Sequence, residues 1–228
     1  MNSNVNLESA VGVLSFLGSG FVLLVLALIL VHALWAKKFR RAKGLVLAGF
    51  GVAGLYFGLM LAFSLASGEK VLARGEEKYF CEIDCHLAYS VIGVRKAKTL
   101  GGATAGGEFY VVTLRTRFDE QTISPRRGNA TLTPNPRALA VSDEQGRAYR
   151  MSEEGMRQLG AERRAGEPLE TPLRPGESYT TEVVFDLPGD AKNPVLLLNE
   201  SMLPTRFIIG HENSFLHGQT KFRLDPLA

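Results

Sequence analysis

Residues 11–36 read VGVLSFLGSGFVLLVLALILVHALWA, an apolar run without a formal charge. Residues 44–66 read GLVLAGFGVAGLYFGLMLAFSLA and form a second such run. About 20 apolar residues are enough for a helix to cross the hydrocarbon core of a bilayer. The sequence therefore predicts two transmembrane helices within residues 1–66 and a lipid bilayer as the first partner.

The orientation of this hairpin is predicted from its charges. The loop at residues 37–43 reads KKFRRAK, and short loops rich in Lys and Arg stay on the cytoplasmic side. The tail at residues 1–10 has no Lys or Arg, which disfavours a cleaved signal peptide. We therefore expect a multi-pass protein of the cytoplasmic (inner) membrane, with the N-terminus and the C-terminal domain extracytoplasmic.

The second run carries small residues at every fourth position, at Gly54, Gly58 and Ala62. Such a ridge lies on one helix face and lets another helix approach closely. One interpretation is that the ridge packs on the first helix of the same chain, because a helical hairpin needs a contact of this kind. The other is that it binds another integral membrane protein.

Residues 67–228 have a soluble composition and a pattern of short strands and turns. Residues 108–118, EFYVVTLRTRF, are predicted to form a strand, because they alternate from Val112 through Phe118 as a half-buried strand does. Residues 205–210, TRFIIG, and 220–224, TKFRL, are predicted to be the last strands. Residues 152–160 predict one short helix capped by Ser152. We expect a linker at residues 67–86 and an all-β sandwich at residues 87–228. The net charge of +3 arises partly from the membrane loop, so no nucleic-acid partner is expected.

Several segments carry a resemblance to a known family. Residues 138–149 read ALAVSDEQGRAY, residues 173–188 read LRPGESYTTEVVFDLP, and PVLLL follows at residues 194–198. This order resembles the telokin-like, immunoglobulin-fold domains of unknown function in bacterial membrane proteins and lipoproteins. The resemblance covers about residues 87–200. It implies an immunoglobulin-like β-sandwich and a bacterial source, and it implies no particular reaction.

Residues 81–86 read CEIDCH and contain both cysteines of the chain. A disulfide between Cys81 and Cys85 is the first interpretation, because paired cysteines on the extracytoplasmic side usually oxidise. A copper or zinc site formed by Cys81, Cys85, His86 and His217 is the second, since thiolates and imidazoles suit both metals. Attachment of haem c is the third, although the spacing has one residue more than the usual Cys-x-x-Cys-His.

The sequence shows no Ser-His-Asp arrangement, phosphate-binding loop or HExxH motif. We therefore expect a protein that is not an enzyme and has no cofactor: a membrane-anchored, extracytoplasmic accessory or interaction subunit of a membrane complex. The alternative is a protein for electron transfer or copper handling that uses the Cys-x-x-x-Cys-His motif.

Overall fold

The computed structural model describes residues 7–82, 85–161 and 165–224. The described residues form two compact units. We call residues 69–201 with 220–224 the β domain, and residues 7–68 with 202–219 the membrane unit.

The described residues contain three helices and nine strands. The helices are α1 (Ser9–Trp35), α2 (Phe39–Leu65) and α3 (Glu153–Ala161). The strands are β1 (Lys70–Leu72), β2 (Lys78–Glu82), β3 (Cys85–Leu100), β4 (Ala103–Asp119), β5 (Arg137–Ser142), β6 (Ala148–Tyr149), β7 (Ser178–Leu187), β8 (Val195–Glu200) and β9 (Thr220–Arg223).

The two predicted membrane spans are helices of 27 residues each. Both are long and apolar enough to cross a bilayer, and very little of their apolar surface is buried within the chain. Large side chains such as Phe21 and Phe50 are exposed. Because a helix inside a soluble core would bury such residues, the exposure indicates association with a lipid bilayer.

The second helix begins earlier than its apolar run. It starts at Phe39, so that Arg40, Arg41 and Lys43 lie in its first turns and only residues 36–38 join the helices. Long basic side chains permit this extension because their charged ends reach the headgroup region while their stems lie along the helix.

The β domain is built from two sheets around one core. One sheet has the strand order β1-β9-β8-β5-β6, and the other has the order β2-β3-β4-β7. A single hydrophobic cluster draws on both sheets. Its fully buried members include Leu87, Leu114, Phe118 and Phe185 from the second sheet, and Val141, Leu196, Leu198 and Phe222 from the first.

The structure differs from the sequence prediction in two segments. Residues 67–86, expected to be a linker, contain β1 and β2, and β1 pairs in parallel with β9. Residues 205–210, expected to be a strand, form no sheet pairing in the described structure. A 3-10 helix at Leu203–Phe207 begins with Pro204 in its first turn, and this residue cannot donate to a sheet ladder.

The short helix α3 follows its prediction. The hydroxyl of Ser152 accepts a hydrogen bond from the backbone N–H of Gly155 at 3.1 Å, which caps the helix. The buried Leu159 of α3 packs with Phe109, Val111 and Val184, so that α3 covers part of the second sheet.

Two glycines beside the β3–β4 turn test how closely this sheet is packed. A Cβ at Gly107 would lie 2.0 Å from the carbonyl oxygen of Leu187, whereas a Cβ at Gly102 would meet nothing within 4 Å. We expect Gly107→Ala to lower the free energy of unfolding by about 1–3 kcal/mol, because backbone must move to admit the methyl group. Gly102→Ala should stay within about 0.5 kcal/mol of the parent chain. Denaturant unfolding followed by the β-sheet circular dichroism signal measures both, and equal effects would contradict the close packing.

Candidate functional site

The cysteine–histidine motif lies in the hairpin of β2 and β3. Cys81 pairs with His86 across the hairpin, and Glu82 pairs with Cys85. Cys81 is exposed. Residues 83–84 and the side chain of Cys85 lie outside the described part of the chain, so the disulfide between Cys81 and Cys85 stays a prediction.

The strand register extends this motif into a row across three strands. His86 pairs with Asp119 at the end of β4, so that Cys81, His86 and Asp119 lie side by side. Leu87, the neighbour of His86, is fully buried in the core, and the row therefore lies on the outer face of the sheet. The Nδ1 atom of His86 is buried and has no hydrogen-bond partner among the described residues. The sequence motif gave no sign of Asp119, which comes from a distant strand.

A network of charged side chains continues this outer face. Arg117 donates two hydrogen bonds to the Glu77 carboxylate, at 2.9 Å from Nε and 2.7 Å from a terminal nitrogen. Arg115 lies 3.3 Å from the same carboxylate, and the Tyr79 hydroxyl donates to it at 2.8 Å. The hydrogen bond from Arg117 lowers the pKa of Glu77. We call the set the outer polar patch: Glu77, Tyr79, Cys81, His86, Arg115, Arg117 and Asp119.

The inner face of the hairpin is held by a buried lysine. Lys78 is 1% exposed, and its Nζ donates to the carbonyl oxygens of Leu198 at 2.5 Å and Thr220 at 3.1 Å. A third bond, of 3.2 Å, goes to the side-chain oxygen of Asn199. Two of these acceptors lie on β8 and one lies on β9, both in the first sheet, whereas Lys78 lies on β2 of the second sheet. The lysine therefore joins the two sheets. Its three donors match three acceptors, which compensates the loss of water around the charge.

A buried arginine, Arg137, and the buried Lys78 both approach the aromatic ring of Phe80. The side chain of Arg137 is fully buried, and its guanidinium is 4.1 Å from the centroid of Phe80, while Lys78 Nζ is 5.0 Å from it. Arg137 also lies 3.6 Å from the Glu200 carboxylate and donates from Nε to the Tyr89 hydroxyl at 3.4 Å. The two cations and the ring fix the start of β2, and hence the hairpin that carries the motif.

The metal interpretation receives no support from the described residues. No group of three or more His, Cys, Asp and Glu side chains among them is placed to hold an ion. His86 belongs to the β domain and His217 to the membrane unit. The Nδ1 of His217 lies 2.8 Å from the carbonyl oxygen of its neighbour Gly218, a local contact within a turn.

The small-residue ridge of α2 does not face α1, as packing within the chain would require. Gly54, Gly58 and Ala62 are exposed, and a Cβ at either glycine would meet nothing within 4 Å. The buried side of α2 instead carries Tyr56 and Met60. In this structure the ridge therefore does not pack on α1 and remains open.

Comparisons with known proteins identify no family for the chain. No family model matches it, and no curated protein matches it. The resemblance to the telokin-like immunoglobulin-fold domains accordingly stays a prediction.

Three solved structures show weak similarity. The secreted protein MPT63 from Mycobacterium tuberculosis is 12% identical, with 68% of this chain and 97% of that chain covered and a TM-score of 0.42. The yjhA protein from Bacillus subtilis is 15% identical, with 67% and 98% covered and a TM-score of 0.39. A conserved hypothetical protein from Bacillus anthracis is 14% identical, with 57% and 92% covered and a TM-score of 0.38. At these scores the similarities carry no argument about function.

The outer polar patch predicts a dependence of stability on pH. Because the folded-state pKa of Glu77 is lowered, its stabilising contribution is present above the unfolded-state value of about 4.3 and is lost as the pH falls through the folded-state pKa. We expect Glu77→Gln to cost about 1 kcal/mol at neutral pH, a value reduced by the partial exposure of the pair, and almost nothing in strong acid. Denaturant unfolding at both pH values measures the difference. Glu170→Gln, at an exposed position, is the control, and an equal loss from Glu77→Gln at both pH values would contradict the assignment.

Proposed function

We propose that the chain is a non-catalytic accessory subunit of a membrane complex. Its helices anchor it in a bacterial cytoplasmic membrane, and the β domain is an extracytoplasmic, immunoglobulin-like sandwich that binds a partner. The basic residues between the helices and in the first turns of α2 support this orientation, since they favour the cytoplasmic side. The two-sheet core supports the sandwich assignment.

The observation that carries the proposal is a long open edge on β3. The short strand β2 pairs only with residues 85–89 of β3. After these residues, β3 makes one further hydrogen bond on this side, from the N–H of Gly75 to the carbonyl oxygen of Val91 at 2.9 Å. No strand in the described part of the chain pairs with residues 92–100 on that side. An edge of this length offers backbone donors and acceptors to an extended segment of another protein.

The side chains of this edge indicate the chemistry of the partner strand. Arg95, Lys96 and Lys98 follow one another along it. Arg95 lies 3.6 Å from Glu182 and Lys96 lies 3.8 Å from Glu108, and each retains exposed surface. Positive charge on an edge opposes pairing with a second copy of the same edge. It favours a partner segment that carries acidic residues.

The open ridge on α2 supplies a second surface for the same partner. Gly54, Gly58 and Ala62 let a neighbouring transmembrane helix approach closely, and nothing in the described chain occupies that space. A partner with a transmembrane helix and an extracytoplasmic segment would have one binding element for each surface.

Photocrosslinking in native membranes tests the proposal. A photoreactive phenylalanine analogue at Ile92, on the open edge, should form a specific adduct with a membrane protein. The same analogue at Gln145, in the exposed β5–β6 turn, should not. Gly58→Leu should weaken the adduct from Ile92, because the larger side chain blocks close helix approach.

The matched control is Gly20→Leu in α1, another exposed position at which a Cβ would meet nothing within 4 Å. It should leave the adduct unchanged. Adducts of equal yield from Ile92 and Gln145, or purification in mild detergent as a lone monomer, would contradict the accessory role.

A metal or haem protein for electron transfer or copper handling is the second candidate, and the buried Nδ1 of His86 favours it. An absorption spectrum with elemental analysis distinguishes the two candidates. We expect no Soret band, no stoichiometric copper or zinc, and an intact mass about 2 Da below that of the reduced chain, because the disulfide loses two hydrogens. A Soret band or stoichiometric metal would favour the second candidate.

A further inference from the structure

The segment Met202–Gln219, which joins β8 to β9, belongs to the same compact unit as the two apolar helices. Ile209 is buried in one cluster with Tyr56 and Met60 of α2. The Tyr56 hydroxyl donates a hydrogen bond to the carbonyl oxygen of Phe207. We call Met202–Gln219 the membrane loop.

The membrane loop also contacts the first turn of α1 and the end of α2. A Cβ at Gly12 would lie 2.7 Å from the carbonyl oxygen of Ile209, so only a glycine admits this approach. The backbone N–H of Gly218 donates to the hydroxyl of Ser67, just beyond α2, at 2.7 Å. The loop is therefore seated on both helices.

These contacts reach well below the end of the apolar helix. Met60 and Tyr56 precede Leu65, the last residue of α2, by five and nine residues. At a rise of about 1.5 Å per residue, they lie about 7 Å and 13 Å below the helix end. The apolar part of α2, residues 44–65, is about 33 Å long by the same rise and thus matches the hydrocarbon core of about 30 Å. The loop accordingly lies beside helix turns that are within the apolar layer.

The backbone of the membrane loop is partly satisfied within the protein, as such a location requires. Non-helical backbone at membrane depth must have its polar groups satisfied within the protein. Five turns in series contribute to this, and in each a backbone N–H donates to the carbonyl oxygen three residues earlier. The donors are Thr205, Ile208, His211, Ser214 and His217, at 3.3, 3.4, 3.2, 2.9 and 3.1 Å.

Apart from Arg206, the exposed residues of the membrane loop are apolar. Met202, Leu203, Phe215 and Leu216 are between 45% and 74% exposed, and the rings of Phe207 and Phe215 pack together. Leu216 is the most exposed of them and has a φ of 61°, in the left-handed region that disfavours residues with a Cβ. A leucine held in water in this conformation would gain nothing to offset the strain.

We propose that the membrane loop inserts into the leaflet at the C-terminal end of α2. Leu203, Phe215 and Leu216 contact lipid acyl chains and extend the lipid-facing surface of the helices. Arg206, the loop's exposed cation, reaches a lipid phosphate. The occupant of this apolar surface is lipid because the surface is continuous with helices whose own apolar residues face the bilayer.

Fluorescence quenching by brominated lipids tests the insertion. In a Trp35→Phe background, a single tryptophan is introduced by Phe215→Trp, Leu203→Trp or, as a control in the β domain, Ile92→Trp. The purified full chain is reconstituted in phosphatidylcholine vesicles that carry bromine on the acyl chains. Both loop positions should be quenched several-fold more strongly than the control, and should be shielded from aqueous acrylamide.

Quenching at both loop positions no stronger than at the control would overturn the proposal. Shielding from acrylamide without quenching by bromine would also overturn it, since it would show that protein, such as a second copy, covers the loop. The two loop positions keep the test decisive if one variant fails to fold. The assay contains no partner protein, so its failure leaves the proposed accessory function untouched.

Discussion

The constraint on which this structure depends is that backbone polar groups in a bilayer must find partners within the protein. The two helices meet it through their own hydrogen bonds. In the membrane loop, five serial turns and the hydrogen bond from Tyr56 satisfy part of it. Among the described residues, the chain passes between the membrane unit and the β domain after Gly68, after Ser201 and after Gln219, which gives three covalent connections. A single-pass tether would supply only one.

A second constraint acts in the β domain, where charges are buried. Lys78 and Arg137 would each be costly if they lacked partners. Three oxygen acceptors surround Lys78, and Glu200, Tyr89 and the Phe80 ring surround Arg137. Because these contacts run from β2 and β3 to strands of the other sheet, they fix the short hairpin that carries Cys81 and His86. The same hairpin ends early on β3 and leaves residues 92–100 open for a partner.

Much of this fold could be predicted from the sequence, and the failures have physical causes. The helices were predictable because the lipid constraint acts on more than twenty consecutive residues. Strand β2 was missed because one of its inward residues is a lysine, Lys78, whose acceptors lie 120 and 142 positions away in the sequence. Phe207 to Ile209 have the composition of a strand, but their packing partner is a helix 151 positions earlier. The ridge of Gly54 and Gly58 was visible in the sequence, whereas its direction away from α1 depends on tertiary packing. The spacing of residues in the sequence shows which side chains share one face of a helix or strand. It does not show which other element packs against that face.

Amide hydrogen exchange of the full chain in lipid nanodiscs tests most directly whether the membrane loop and the helices form one unit. We expect peptides from residues 202–219 to be protected to an extent close to that of the C-terminal turns of α2, because the same contacts hold both. Peptides that cover the exposed turn at residues 128–131 should exchange quickly and provide the internal reference. Exchange of residues 202–219 as fast as that of the exposed turn, while α2 remains protected, would show that the membrane loop and the helices do not form one unit.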